Sequence, residues 1–146
     1  MQKQPSFLKI IWTDYLSFIT TIIPVMIWVF YLIMQFLDKV DLMGSYTLVI
    51  LSILSVISLG ILFLRVSHFF SVFTYGYEVN AVITAVSFYR DRGRVEYAYE
   101  LQTQKYVSGN SIMKTMATRK LVVGDGVIVV VNRDQPKEAY IRDLYL

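Results

Sequence analysis

The chain has 146 residues, a formal net charge of +3 and no cysteine. Hydrophobic residues make up 55% of it and charged residues only 17%; since a soluble domain carries roughly 25% charged residues, composition favours a membrane protein. Without cysteine there is no disulfide, thiolate nucleophile or cysteine zinc site, and the single histidine, His68, excludes a multi-histidine metal site within one chain. We expect no metal and no cofactor.

Charged side chains concentrate after residue 64, which predicts a domain boundary. Two uncharged runs precede it, Tyr15–Leu37 and Tyr46–Leu64. At about 1.5 Å per residue they would extend about 34 Å and about 28 Å as helices, close to the roughly 30 Å hydrocarbon core of a bilayer. The predicted organisation is an N-terminal tail (1–14), a transmembrane helical hairpin (15–64, with helices 15–37 and 46–64), an interfacial junction (65–77) and a soluble β domain (78–146).

The link between the two helices, Asp38–Ser45, is short enough to force an antiparallel hairpin. On the other side of the membrane lie Lys3, Lys9 and Arg65. Since basic residues favour the cytoplasmic side, both chain termini are predicted to be cytoplasmic.

Hydroxyl residues and a proline recur along the two helices, at Thr20, Pro24, Ser52, Ser55 and Ser58. Small and hydroxyl residues let membrane helices approach closely, so packing of the hairpin is the simpler interpretation. The alternative is a polar path for an ion. No acidic or basic residue lies inside either run, although such residues usually mark transport routes.

The junction is rich in aromatic residues, and the second helix is expected to continue past the interface or to bend along it. Arg65 would extend to the headgroups, and His68 would be an interfacial residue.

The remaining chain shows the short alternating or apolar runs of β-strands. The predicted fold class is membrane α + β, with the hairpin followed by four to six strands in an antiparallel meander or small barrel. The predicted strands are Glu78–Arg90, Val95–Gln102, Val127–Val131 and Glu138–Leu146, and the predicted turns are Asp91–Arg94, Ser108–Asn110, Val123–Gly126 and Asp134–Pro136.

Over about residues 76–144 the chain resembles a bacterial family of unknown function, domain-of-unknown-function family three-five-nine-two. The shared pattern is a glycine before a valine-containing strand, a tyrosine-rich strand with a polar turn, Gly-Asp before an apolar strand, and a proline turn before a small residue. Here these are Gly76 with 78–86, Tyr97–Leu101 with Ser108–Asn110, Gly124 and Asp125 with Val127–Val131, and Pro136 with Ala139. Family members carry Asp-Pro-x-Asn-Pro where this chain has Asn132–Pro136. The resemblance implies a membrane-anchored β domain in bacteria and no established activity.

Nucleotide-binding, zinc-protease and nucleophile-elbow motifs are absent from the sequence. Asp125 between two glycines is typical of a turn whose side chain bonds its own backbone; the alternative is a membrane hydrolase that uses it. Arg90, Arg92 and Arg94 surround a hairpin tip and would be solvated or, with Arg65, contact lipid headgroups. They are too few for the dense basic stripe of a nucleic-acid-binding protein.

The sequence thus predicts a non-enzymatic accessory protein of the bacterial cytoplasmic (inner) membrane. Its β domain would dock on a membrane-protein partner or on a second copy. The alternative is a small oligomeric channel or transport accessory protein. The residues expected to make the docking contact are Phe69, Phe70, Phe73, Tyr75, Leu144, Tyr145 and Leu146.

Overall fold

A computed structural model describes residues 4–37 and 45–146. Apart from Ser45, the predicted interhelical link lies outside the described residues. The described helices are α1 (Phe7–Thr13), α2 (Tyr15–Phe36), α3 (Ser45–Tyr75) and α4 (Arg142–Tyr145). The described strands are β1 (Tyr77–Tyr89), β2 (Arg92–Leu101), β3 (Gln104–Met113), β4 (Gly126–Val131) and β5 (Ala139–Ile141).

Helices α2 and α3 are both long and apolar enough to cross a membrane, and they pack in opposite directions. Ser58 Oγ donates to the Thr20 carbonyl oxygen at 2.9 Å, and Trp28 Nε1 donates to Ser55 Oγ at 3.0 Å. The hydroxyls at these positions therefore bind the two helices of one chain together. The predicted combination of a helical hairpin and a small antiparallel β domain is confirmed.

The structure describes residues 4–14 of the predicted N-terminal tail, and α1 within them packs against the β domain. The Ser6 N–H donates to the Tyr145 carbonyl oxygen at 2.8 Å, and Ile10 is fully buried in the core. The apolar residue Ile10 holds the N-terminal segment beside α4.

Helix α3 continues through the predicted junction, the first of the two alternatives. Its 31 residues extend about 46 Å, which is longer than the roughly 30 Å hydrocarbon core of a bilayer. Phe69, Val72 and Phe73 on its last turns are buried in the core of the β domain. One continuous helix therefore joins the apolar hairpin to the β domain.

The strands form one antiparallel sheet in the order β3-β2-β1-β4-β5. The long strand β1 pairs with β4 along its first half and with β2 along its second half. A register shift between Ile83 and Ala85 marks a bulge, which bends a strand and increases its twist. The sheet curls until its two edge strands, β3 and β5, face each other in a nearly closed barrel.

The turn predicted at Ser108–Asn110 is wrong. These residues lie inside β3 and pair continuously with Tyr97, Glu96 and Val95. The chain reverses instead at Gln102 and Thr103, whose φ angles of 49° and 67° suit a two-residue hairpin loop. These small polar residues therefore belong to the middle of an edge strand and not to a turn.

The closing strand predicted over Glu138–Leu146 is also too long. Only Ala139–Ile141 pair with β4, and the chain then turns into α4. The reason lies in the core, where the Tyr145 ring is fully buried with its centroid 4.8 Å from that of Phe69. Helical geometry brings this ring beneath α3, which an extended strand would not.

Gly76, at the junction of α3 and β1, gives the first test. A methyl group there would overlap the carbonyl oxygens of Val72 and Val131, so Gly76→Ala should destabilise the protein by about 1–3 kcal/mol. Gly126 has open space around it, and Gly126→Ala should change stability by no more than about 0.5 kcal/mol. Equal thermal unfolding midpoints of the two variants in detergent would contradict this account of the junction.

Candidate interaction site at the seam of the sheet

The seam is the gap between the edge strands β3 and β5, and side chains bridge it. Asn110 Nδ2 donates to the Ala139 carbonyl oxygen at 3.0 Å. The Tyr97 hydroxyl donates to Asn110 Oδ1 at 2.6 Å and also contacts the Ala139 carbonyl oxygen. Burial raises the pKa of Tyr97, so its hydroxyl stays a proton donor. These contacts close one point of the seam where a closed barrel has a backbone ladder.

A groove of about 610 Å³ runs along the seam, within the roughly 300–1,000 Å³ of typical ligand sites. One wall is β3 from Ser108 to Ser111, and the other is formed by the turn before β5 and by β5 itself. Asp14, Tyr15 and Leu16 line the end nearest the hairpin. The groove therefore opens beside the first residues of an apolar, membrane-length helix.

Asp14 and Arg65 form an ion pair in this groove. Arg65 Nη2 lies 3.1 Å from Asp14 Oδ1, and the Asp14 side chain is only 2% exposed. Asp14 also caps α2, accepting from the backbone N–H and the hydroxyl of Ser17 at 2.9 and 2.7 Å. The Arg65 guanidinium carbon lies 5.1 Å from the Phe69 ring centroid and 5.8 Å from that of Tyr140. Arg65 thus turns into the protein instead of extending to lipid headgroups as predicted, because a buried carboxylate attracts it.

His68 has a partner that lies 70 residues away along the chain. His68 Nε2 is 2.8 Å from Glu138 Oε1, and that carboxylate also accepts from the Tyr140 hydroxyl and from Asn132 Nδ2, each at 2.8 Å. Burial acts to raise the pKa of Glu138, but these hydrogen bonds outweigh it and the pKa is lowered. Glu138 is therefore a fixed negative charge that holds α3 to the turn before β5.

The outer edge of β3 carries unpaired backbone groups. The two-residue loop makes Leu101 and Gln104 a hydrogen-bonded pair, and pairs of this kind then alternate along an antiparallel ladder. In the observed register, the N–H and C=O groups of Lys105, Val107 and Gly109 point away from β2. No described backbone group bonds to them. Lys105 and Val107 are both exposed, Val107 at 64%, so this part of the edge is open.

The predicted docking residues lie mostly inside the chain, which corrects that expectation. Phe69, Phe73, Leu144 and Tyr145 are buried, and Phe70 and Leu146 are partly buried against the same core. Only Tyr75 is well exposed, at 69%. The aromatic residues of α3 and the apolar residues of α4 pack on each other, so folding buries the surface that was predicted to contact a partner.

The other predicted residues have local contacts. Asp125 Oδ2 accepts the Val122 N–H at 3.1 Å, which is the expected turn geometry. Arg94 pairs with Glu96 at 2.9 Å, whereas Arg90 and Arg92 lie over the rings of Tyr89 and Tyr15. Within 4–37 and 45–146, no group of three or more His, Cys, Asp or Glu side chains could hold a metal ion.

No protein-family model, curated protein or solved structure matches this chain. The resemblance to domain-of-unknown-function family three-five-nine-two therefore stays a prediction.

The ion pair gives the second test. Arg65→Gln leaves the Asp14 carboxylate buried without a counter-charge. It should lower the free energy of unfolding by about 2–4 kcal/mol, somewhat less than the loss of a fully buried partner, because Arg65 is 28% exposed. Adding Asp14→Asn should recover part of that loss, since asparagine keeps the helix cap without the charge.

Arg94→Gln is the matched control, because the Arg94–Glu96 pair is exposed and such pairs contribute at most about 1 kcal/mol. Denaturant unfolding in detergent measures all three variants. If Arg65→Gln costs no more than Arg94→Gln, the buried pair does not hold the hairpin to the β domain.

Proposed function

We propose that this protein is a membrane-anchored, non-enzymatic accessory protein that binds an extended segment of another membrane protein along the open edge of β3. The observation that carries the proposal is the row of unpaired backbone groups at Lys105, Val107 and Gly109 beside the seam groove. An exposed edge strand is a template for pairing with another chain. Added strands gain affinity from main-chain hydrogen bonds and specificity from side-chain pockets.

The position of the edge favours a partner in the same membrane. Because Tyr15 and Leu16 line the groove, a polypeptide leaving the bilayer beside α2 would enter the seam directly. A shared membrane raises the effective concentration of such a partner.

The continuous helix α3 supports the same role. A flexible linker would let the β domain sample many orientations, at an entropic cost on binding. Here Phe69 and Phe73 of α3 are buried in the β core, and Asp14 and Arg65 link both helices at the groove. The edge is therefore presented at a fixed height and angle, which suits an accessory subunit.

The charged groups of the groove favour binding over catalysis. Asp14 is paired with Arg65, and Glu138 accepts from three donors. Carboxylates held in this way support the walls of a site and are poorly placed to exchange protons with a substrate.

Substitution of Val107 tests the proposal. Proline removes the outward N–H that an added strand needs, yet it is tolerated on a sheet edge. Threonine keeps the N–H and the β-branched shape. We expect a photo-crosslinker at Lys105 to give one discrete adduct in native membranes with Val107 or Val107→Thr, and at least about a tenfold weaker adduct with Val107→Pro, since strand addition depends on main-chain bonds.

The mass of the adduct identifies the occupant. Twice the mass of the chain means that β3 edges of two copies pair, and any other discrete mass means a distinct partner. A crosslinker at Val122 is the control and should give no such adduct. Val122 is 59% exposed, similar to the 64% of Val107. Adducts of equal yield from Val107→Thr and Val107→Pro would rule out strand addition.

For the orientation, we propose that the hairpin crosses the bacterial cytoplasmic membrane with both chain termini inside. Lys9 precedes α2, and Arg65 follows the uncharged run of α3 on the same side. Such basic residues favour the cytoplasmic side. A reporter that works only in the cytoplasm should be active when fused after Leu146. Activity of a periplasmic reporter at that point would reverse the orientation.

A further inference from the structure

The tip of the β1–β2 hairpin adjoins the start of α2. The Arg92 guanidinium carbon lies 5.9 Å from the Tyr15 ring centroid, and Tyr15 is the first residue of an apolar helix of membrane length. Tyrosine rings at the ends of such helices lie at the depth of lipid headgroups. Arg92 therefore reaches headgroup depth from the β domain.

The tip carries positive charge without described ion-pair partners. Arg94 pairs with Glu96 and Arg142 with Glu78, but Arg90, Arg92 and Lys114 form no ion pair with a described residue. The Lys114 N–H donates to the Asp91 carbonyl oxygen at 2.9 Å, so the lysine backbone is fixed beside the tip. Three cations against the single carboxylate of Asp91 leave an excess of positive charge.

Apolar groups accompany these cations. Tyr89 at the tip is 63% exposed, and α1, which only Asp14 separates from α2, exposes Phe7, Leu8 and Trp12. A groove of about 290 Å³ lies between Tyr15, Phe88 and Arg92. The exposed Lys9 lies on the same helix as these apolar residues of α1, and an exposed apolar helix face with basic residues is typical of segments that lie in the membrane interface.

We propose that two groups of residues beside the start of α2, namely Tyr89, Arg90 and Arg92 of the hairpin tip and Phe7, Leu8 and Trp12 of α1, bind the headgroups of anionic phospholipids in the bilayer that holds α2 and α3. The apolar side chains enter the boundary between headgroups and acyl chains, and the arginines bind lipid phosphates. This inference does not depend on the proposed partner at the β3 edge, which uses other residues.

Lipid retention tests the charge. The full chain is reconstituted in nanodiscs that contain equal amounts of phosphatidylcholine and phosphatidylglycerol. Native mass spectrometry of the released protein then measures the ratio of bound phosphatidylglycerol to bound phosphatidylcholine. Each arginine near an anionic surface shifts such a ratio about fivefold. Arg90→Ser with Arg92→Ser should therefore remove most of the preference for phosphatidylglycerol, whereas Arg94→Ser should keep it. Equal retention of both lipids by the unmodified chain, or an unchanged ratio in the double variant, would overturn the proposal.

Depth measurement tests the placement, and the cysteine-free sequence makes single labelling simple. A nitroxide on Tyr89→Cys in phosphatidylglycerol nanodiscs should be shielded from a water-soluble nickel complex. A nitroxide on Glu100→Cys, near the opposite end of β2, should be fully accessible. Equal accessibility of both nitroxides to the nickel complex would place the tip in water and contradict the proposal.

Discussion

The Asp14 carboxylate lies where the apolar hairpin meets the β domain, and it is almost completely buried. A buried carboxylate is costly unless it is paired and hydrogen-bonded. Here Ser17 donates to it from α2, Arg65 pairs with it from α3, and Asp14 itself forms an isolated β-bridge with Ile112 of β3. Three elements meet at this one residue, and a shift of α3 relative to α2 would separate Arg65 from the carboxylate and leave its charge unpaired. The relative position of hairpin and sheet depends on this constraint.

The aromatic core reinforces the same junction. Phe69 of α3 contacts the rings of Tyr140 and Tyr145 with centroid distances of 4.3 and 4.8 Å, and Arg65 covers Phe69. A β domain of about 70 residues has a marginal core when it is isolated. The last turns of α3, with α1 and α4, supply the missing apolar surface, so the β domain and the helices form one folding unit.

This architecture places two different surfaces at the end of the β domain that adjoins the helical hairpin. The seam groove offers strand-edge hydrogen bonds beside a fixed ion pair, which suits a polypeptide. The hairpin tip and α1 offer apolar groups with cations, which suits lipid. Both adjoin Tyr15. The proposed lipid contact at the tip would therefore also keep the seam facing the membrane, where the proposed partner segment would emerge.

The sequence by itself determined the two apolar helices, the change to β-structure and the Asp125 turn, because hydrophobic runs, alternation and glycine turns are local signals. The turn at Ser108–Asn110 was wrong because polar residues on a sheet edge resemble those of a loop. The docking surface predicted at the aromatic junction was also wrong. Whether these aromatic side chains are exposed depends on which other elements pack against them, and the sequence does not show this. Only tertiary structure could bring Asp14 to Arg65, 51 residues away, or His68 to Glu138. The seam likewise depends on tertiary structure. Long-range strand pairing makes β3 and β5 the two edges of the sheet, and the curvature of the sheet brings these edges together.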